Sequence, residues 1–215
     1  MILLKFAVID ARPSAQTAGP SMTFRLNIEE LSRTPIHAIA LRCQVRIDPR
    51  GRRYAHEEQM RLYELFGDSS QWDRALQMVT WAHTTALVPA FAGQTEIDLR
   101  VPCTYDLEIA AAKYLHAIRD GAVPLVFLFS GTAFSAHSES SGLSVEPVPW
   151  DREASYRLPA SVWHSTMDRF FPGGGWMRVN RETLDRLQEF RGRNALVSWD
   201  DTIDRLLLRA SEQVI

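Results

Sequence analysis

MTFRLNIE (residues 22–29) and IALRCQVRID (residues 39–48) alternate strictly between apolar and polar side chains. Met22, Phe24, Leu26 and Ile28 fall on one side of the first stretch, and Ile39, Leu41, Cys43, Val45 and Ile47 on one side of the second. A period of two sends successive side chains to opposite faces of a pleated strand, so each stretch buries one flank and wets the other. This is the pattern of an antiparallel sheet with one face on a core. Phe24, Leu41 and Val45 are expected on the hidden flank.

Outward from these two strands, Leu3 to Asp10 reads as an earlier strand. A turn-rich link with Pro13, Gly19 and Pro20 follows it. Glu57 to Phe66 has near-helical spacing of Met60, Leu62, Leu65 and Phe66, with a short helical turn expected over Asp73 to Met78. Trp81 to Val88 reads as a strand with Trp81, His83, Thr85 and Leu87 on one side. Thr95, Ile97, Leu99 and Val101 form the inner set of another, which continues through Cys103, Tyr105, Leu107 and Ile109. Ala110 to Asp120 switches to good helix formers and closes on Gly121. VPLVFLF (residues 123–129) is apolar throughout, the texture of a strand buried on both faces at the centre of the fold. Ser130-Gly131-Thr132 after it reads as turn chemistry, residues 135–142 as a solvated hairpin loop that holds His137, and Leu143 to Val148 as the return strand.

The texture changes at Trp150. Helices are expected over Pro159 to Phe171, Arg181 to Arg191 with Asn180 as N-cap, and Trp199 to Ala210. Ser198 and Asp201 have the spacing of a capping box, and Ile203, Leu206, Leu207 and Ala210 are expected to face inward. The order argues for an α+β fold: an antiparallel β-sandwich-like body with inserted helices and a helical C-terminal third. The expected domains are a β-rich unit over residues 1–149 and a helical subdomain over 150–215 packed on it.

With 215 residues, 46% hydrophobic and 23% charged, the chain has the composition of an ordinary soluble globular protein. A net charge of −2 supplies no broad field for nucleic acid. The apolar runs fall well short of the roughly 20 residues a bilayer demands. The apolar N-terminus carries Lys5 and no small-residue cleavage site, so it reads as a strand and not a leader. A cytoplasmic location is expected. The two cysteines, Cys43 and Cys103, sit in apolar register on strands, where small buried hydrophobes are the default and no disulfide scaffold is signalled.

No motif of high chemical specificity is present. No pair among the six histidines has the helical zinc spacing with an acid, and neither cysteine has a near partner. The strained Gly-x-Ser-x-Gly elbow is absent. The Gly-rich run Gly173-Gly174-Gly175 follows a helix instead of opening one, so it is no phosphate cradle. No cofactor, metal or catalytic residue is assigned. The arginines are the odd feature, 22 against two lysines. Arg42 and Arg46 share an outward strand face with Gln44, and Arg50, Arg52 and Arg53 follow in the next turn. That cluster suits an acidic partner, and no aromatics interleave it as nucleic acid would want. Trp150 and Trp176 lie in loop-like contexts where an aromatic can anchor a partner.

Four segments together resemble an uncharacterised bacterial family, a domain of unknown function: PIHAIALRCQVRI (35–47), VPCTYDLEIAAAKYLHA (101–117), PWDREASYRLP (149–159) and FPGGGWMR (171–178). Its members look like those encoded near high-affinity uptake nickel–iron hydrogenases in aerobic soil bacteria. The resemblance implies an accessory or assembly role around such an enzyme, and it brings no catalytic residue to any position here.

The expected function is that of a non-enzymatic interaction protein. Its partner is expected to be a protein, with hydrogenase subunits, maturation factors or a second copy of the chain as candidates. No nucleic acid and no membrane insertion are expected. Recognition is expected through Arg42, Arg46, Arg50, Arg52, Arg53, Trp150 and Trp176. Two alternatives stand beside it: an enzyme with scattered residues such as His83, Cys103 and Ser130 near the sheet centre, and a small-ligand carrier with an apolar cavity.

Overall fold

The computed structural model describes residues 2–15, 17–104, 106, 109–136, 143–174 and 177–212. The described residues fall into two compact units, 1–175 and 176–215. The first contains strands β1 (Leu4–Pro13), β2 (Ser21–Glu30), β3 (Ile36–Ile47), β4 (Val79–Val88), β5 (Gln94–Pro102), β6 (Ala122–Ala136), β7 (Leu143–Val148) and β8 (Glu153–Pro159). Its helices are α1 (His56–Phe66), the one-turn α2 (Trp72–Ala75), α3 (Ala110–Ala117) and α4 (Ala160–Phe170).

All strand pairs are antiparallel. One sheet has the order β1-β2-β5. The other runs β4-β3-β6-β7, with β8 also paired to β6. The two inner faces meet through aromatic rings. Phe6 stacks on Phe129 at 4.4 Å, and Phe24 meets Phe127 edge-on at 5.1 Å. Phe24, Leu41 and Val45 are 0%, 1% and 0% exposed, as the alternation requires. Burying each such side chain contributes roughly 1.5–3 kcal/mol over leaving it in water. The sheet edges shield each other: β1 runs alongside β8, and at the other side Thr84 Oγ1 of β4 donates to Arg100 O of β5 at 2.8 Å. Covered edges are how β proteins avoid unwanted pairing. The α+β sandwich-like body read from the sequence is therefore the observed one.

Several local expectations give way to tertiary detail. β4 carries an extra residue at Trp81, because Val45 pairs with Ala82 while Arg46 pairs with Thr80. This bulge reverses the facing of the strand on either side of it. Trp81 packs on the core, but His83, Thr85 and Leu87 face solvent, so the four do not share a side. β6 lies at the centre of its sheet, yet only one face is fully buried: Val126 and Leu128, on the other, are half-buried. Ser130-Gly131-Thr132 is not a turn. β6 continues straight through it, because β3 pairs with it as far as Ser135. Residues 153–159 form β8 with Ala154 and Leu158 buried, a strand that the sequence reading passes over. β5 ends at Pro102, with Cys103 and Ile109 outside any strand, and the expected continuation at Tyr105 and Leu107 lies outside the described residues, as does His137.

Helix α4 lies along β1, β2 and β8 and buries Trp163 and Met167. Helix α1 is tied to the body by Glu58, whose two carboxylate oxygens each accept from Arg52 Nη2 at 2.9 Å. Glu58 also accepts the Ala55 N–H at the start of its own helix.

The second unit consists of α5 (Arg181–Arg193) and α6 (Trp199–Glu212). Asn180 caps α5 through the Thr183 N–H at 2.9 Å. The Ser198–Asp201 capping box forms with both bonds at 3.0 Å. The helices meet around the last turn of α5, where Arg191 covers Trp199 and Arg209 covers Phe190. Leu207, 60% exposed, and Ala210 do not face inward as their spacing suggests. Within this unit the described contacts to α6 come from the end of α5, and its apolar stripe is wider than that contact. No helix among the described residues is long and apolar enough to cross a membrane.

Two positions give sharp expectations. Gly131 has φ +144°, and a Cβ there would sit 2.1 Å from Ala40 O on β3. Gly131→Ala therefore combines backbone strain with a clash between paired strands, and should cost about 2–6 kcal/mol in urea unfolding. Glu30, buried at the end of β2, is pulled up by desolvation, but hydrogen bonds from Ser32, Thr34 and Leu3 outweigh this and hold its carboxyl below the usual range. A lowered pKa means its stabilisation is present above the unfolded value, about 4.3, and disappears as pH falls through the folded value. Glu30→Gln should flatten the acid limb of a stability–pH curve; an unchanged limb would show that Glu30 does not drive it.

Candidate functional site

The outer face of the second sheet is built by register. On β3, Arg42 sits between Thr85 of β4 and Ser130 of β6, and Gln44 sits between His83 and Leu128. Arg46 follows two residues on, between Thr80 and Val126. One edge of β6 is shared: β8 pairs with residues 122–128 and β7 with 131–136. The link between them, residues 149–152, runs along that same edge at the gap, where Phe129 N donates to Arg152 O at 2.8 Å. It brings Trp150 beside Ser130. Arg42, His83, Thr85, Leu128, Ser130 and Trp150 thus surround one open groove of about 630 Å³. Trp150 is 88% exposed. Arg42 has no ion-pair partner among the described residues, while Gln44 Nε2 lies 3.5 Å from Thr80 Oγ1.

The arginines of the following turn have different surroundings. Arg50 Nε is held by Asp48 at 3.1 Å. Arg52 turns inward: its side chain is 9% exposed, paired with Glu58 and stacked over the Tyr54 ring at 5.1 Å. That makes Arg52 a tie between the turn and α1, with little surface to offer. Arg53 is exposed, and its carbonyl accepts from Arg52 Nε. Arg46 is half-buried with Nε unpaired among the described residues. Trp176 lies outside the described residues. The structure therefore gathers Arg42 and Trp150 in one groove with His83 and Ser130. Leu128 and Pro102, which also line it, carry no sequence signal; they arrive through strand register.

The groove brings no two reactive groups together. His83 and Ser130 are two strand spacings across and two residues along from one another, roughly 12 Å, and no hydrogen bond joins them among the described residues. Cys103 lies outside this groove and lines a separate cavity with His83. Burial pushes the thiols of Cys43 and Cys103 up to about 12 each, so both stay protonated at neutral pH, and neither is in a disulfide. A thiol in that state is a poor nucleophile and a poor metal ligand. No group of three or more His, Cys, Asp or Glu side chains is placed to hold a metal among the described residues.

A family model, described as a family of unknown function (DUF6084), matches residues 1–215, and the chain belongs to that family. No curated protein matches it. Among solved structures, a protein from Archaeoglobus fulgidus is similar at 11% identity over 74% of this chain and 98% of its own, with a TM-score of 0.29. The putative ApaA protein from Bordetella pertussis is similar at 10% identity over 73% and 93%, with a TM-score of 0.25. β-Glucosidase 3B from Thermotoga neapolitana is similar at 11% identity over 73% of this chain and 17% of its own, with a TM-score of 0.26. Likenesses this slight carry no argument about function.

The thiol environments can be checked directly. With both thiols near 12, reaction with a disulfide reagent at pH 8 should run ~10³-fold slower in the native chain than in denaturant. A fast native phase of one equivalent would show that one cysteine is activated.

Proposed function

We propose that this chain is a non-enzymatic interaction module that holds an acidic protein partner against the outer face of its second sheet. The observation that carries this reading is Trp150, 88% exposed at the rim of an open groove beside Arg42. Tryptophan and arginine dominate the energetics of protein interfaces, because each presents a large contact area at a fixed geometry. The groove spreads over three strands and the β7–β8 link, which suits a protein surface better than a small substrate. Arg42 and Arg46 in one row favour an acidic contact and steer its approach. The reading with a catalytic site at His83, Cys103 and Ser130 has less support, since the three line no common pocket and the Cys103 thiol stays protonated.

The finer reading is an accessory role in the cytoplasm, with subunits or maturation factors of a nickel–iron hydrogenase as the partner. Its support is the resemblance of segments 35–47, 101–117, 149–159 and 171–178 to a family with that genomic setting.

Affinity capture from native extract, with the full chain as bait, tests both levels. Wild-type chain should retain hydrogenase subunits, identified by mass spectrometry. Arg42→Glu and Trp150→Ala should each lower retention about tenfold or more, as expected for interface anchors. Both side chains are exposed, so the melting temperature should stay within about 2 °C of wild type. Full retention by both variants discards this surface, and an eluate without hydrogenase subunits discards the finer reading.

A further inference from the structure

An open groove of about 460 Å³ lies where three segments of the first unit meet: the turn before α1, the first turns of α1, and the link from α3 to β6. Arg52 and Arg53 line it from the turn, Arg61 from α1 and Arg119 from the link, beside the acids Glu57, Glu58 and Asp120. The buried Glu58 carboxylate draws the segments together. It accepts from Arg52 Nη2 at 2.9 Å, from Ala55 N at 3.1 Å and from Arg119 N at 3.4 Å. Arg52 Nε in turn donates to Arg53 O at 3.1 Å. A buried ion pair contributes little net stability, because desolvation offsets its attraction. This one fixes the backbones of Arg53 and Arg119 at the same groove. The acids there are already engaged: Glu58 by Arg52, Glu57 by Arg61 at 3.8 Å, and Asp120 Oδ1 by its neighbour's Gly121 N–H at 2.6 Å. Arg53 and Arg119 are exposed and have no ion-pair partner among the described residues. His116, on α3, senses the positive excess. Burial, then Arg119, His164 and Arg61, pull its pKa below the ordinary value.

We propose that this groove binds a phosphate dianion, free or as the monoester of a small molecule, with the guanidinium groups of Arg53 and Arg119 closing on it from the turn and the link. Charge selects the ligand. Two unpaired guanidinium groups match a dianion, whereas a carboxylate would compensate only one of them. Shape selects it as well, because the planar fork of arginine matches phosphate oxygens two at a time. Arg61 adds to the attraction, since its hold on Glu57 is loose and exposed pairs of that kind are weak. Asp120 limits the affinity, and the groove is open to water, so binding is modest and sensitive to salt. The site is independent of the docking surface proposed above, since no residue lines both.

The test is an NMR titration of the full chain at low salt, labelled with nitrogen-15 and read at the arginine Nε–H signals. Inorganic phosphate and methyl phosphate are the probes, and acetate at matched ionic strength is the comparison. The Arg53 and Arg119 signals should move together and saturate with phosphate, with a Kd on the order of 1 mM, the worth of two charge-assisted contacts. Methyl phosphate bound as tightly as phosphate or more so marks an esterified ligand; a clear preference for inorganic phosphate marks the free anion. Acetate should bind about tenfold more weakly than either. Arg53→Ala and Arg119→Ala should each weaken phosphate binding about tenfold while the rest of the spectrum stays native, because both side chains are exposed. Arg74→Ala removes the same charge from an exposed position outside the groove and should change the Kd less than about twofold. Four results overturn the proposal: no saturable movement of the two arginine signals, acetate bound as tightly as phosphate, undiminished binding by Arg53→Ala and Arg119→Ala, or a loss in Arg74→Ala as large as theirs. The last would mean that the chain attracts phosphate by diffuse charge and holds it at no one place.

Discussion

Phe6 and Phe24 from one sheet against Phe129 and Phe127 from the other form the contact on which the first unit depends. Rings at 4.4 and 5.1 Å fill the gap between inner faces and leave no room for a polar side chain there. Every strand crossing this layer must therefore alternate, with apolar residues inward. The polar members of each pair are left to the other flank. On β3 those members are Arg42, Gln44 and Arg46, which is why the candidate contact surface and the core are two sides of the same strand.

The length of β6 is the second constraint. Its fifteen residues exceed what either neighbour on one edge can pair with, so β7 and β8 divide that edge between them. At the division the chain leaves the ladder and rejoins it on the same edge. Pro149 to Arg152 makes that detour, and Trp150 is left exposed on its outside. Gly131, where β6 approaches Ala40 O too closely for a side chain, lies at the same point. A backbone requirement and a surface feature thus coincide at one place, and the groove owes its shape to both.

The parts legible in the sequence were those where one local pattern met one environment. β2 and β3 alternate because each has one apolar and one polar flank. Asn180, Ser198 and Asp201 act on backbone groups within three residues, so their spacing alone identifies them as caps. Other features failed where a distant partner decided. The bulge at Trp81 depends on how Arg46 pairs, and it moved His83, Thr85 and Leu87 to the solvent side. Arg52 looked like its neighbours Arg50 and Arg53, yet Glu58 folds back from α1 and takes it out of the surface cluster. Ser130-Gly131-Thr132 has the composition of a turn, and pairing with β3 keeps it extended. β8 alternates as cleanly as β2 does, but its seven residues stand against a chain region rich in helix formers.

From the order of residues alone came the sandwich-like α+β class, the hidden flank of Phe24, Leu41 and Val45, and the outward row of Arg42, Gln44 and Arg46. These follow from a period of two, which is a property of neighbours along the chain. Tertiary structure alone decided that Trp150 joins Arg42, that Arg52 leaves the cluster, and that the Trp163 N–H is buried without a partner among the described residues. Each of these sets residues tens of positions apart side by side, or withholds a partner across such a distance, and no spacing along the chain encodes that.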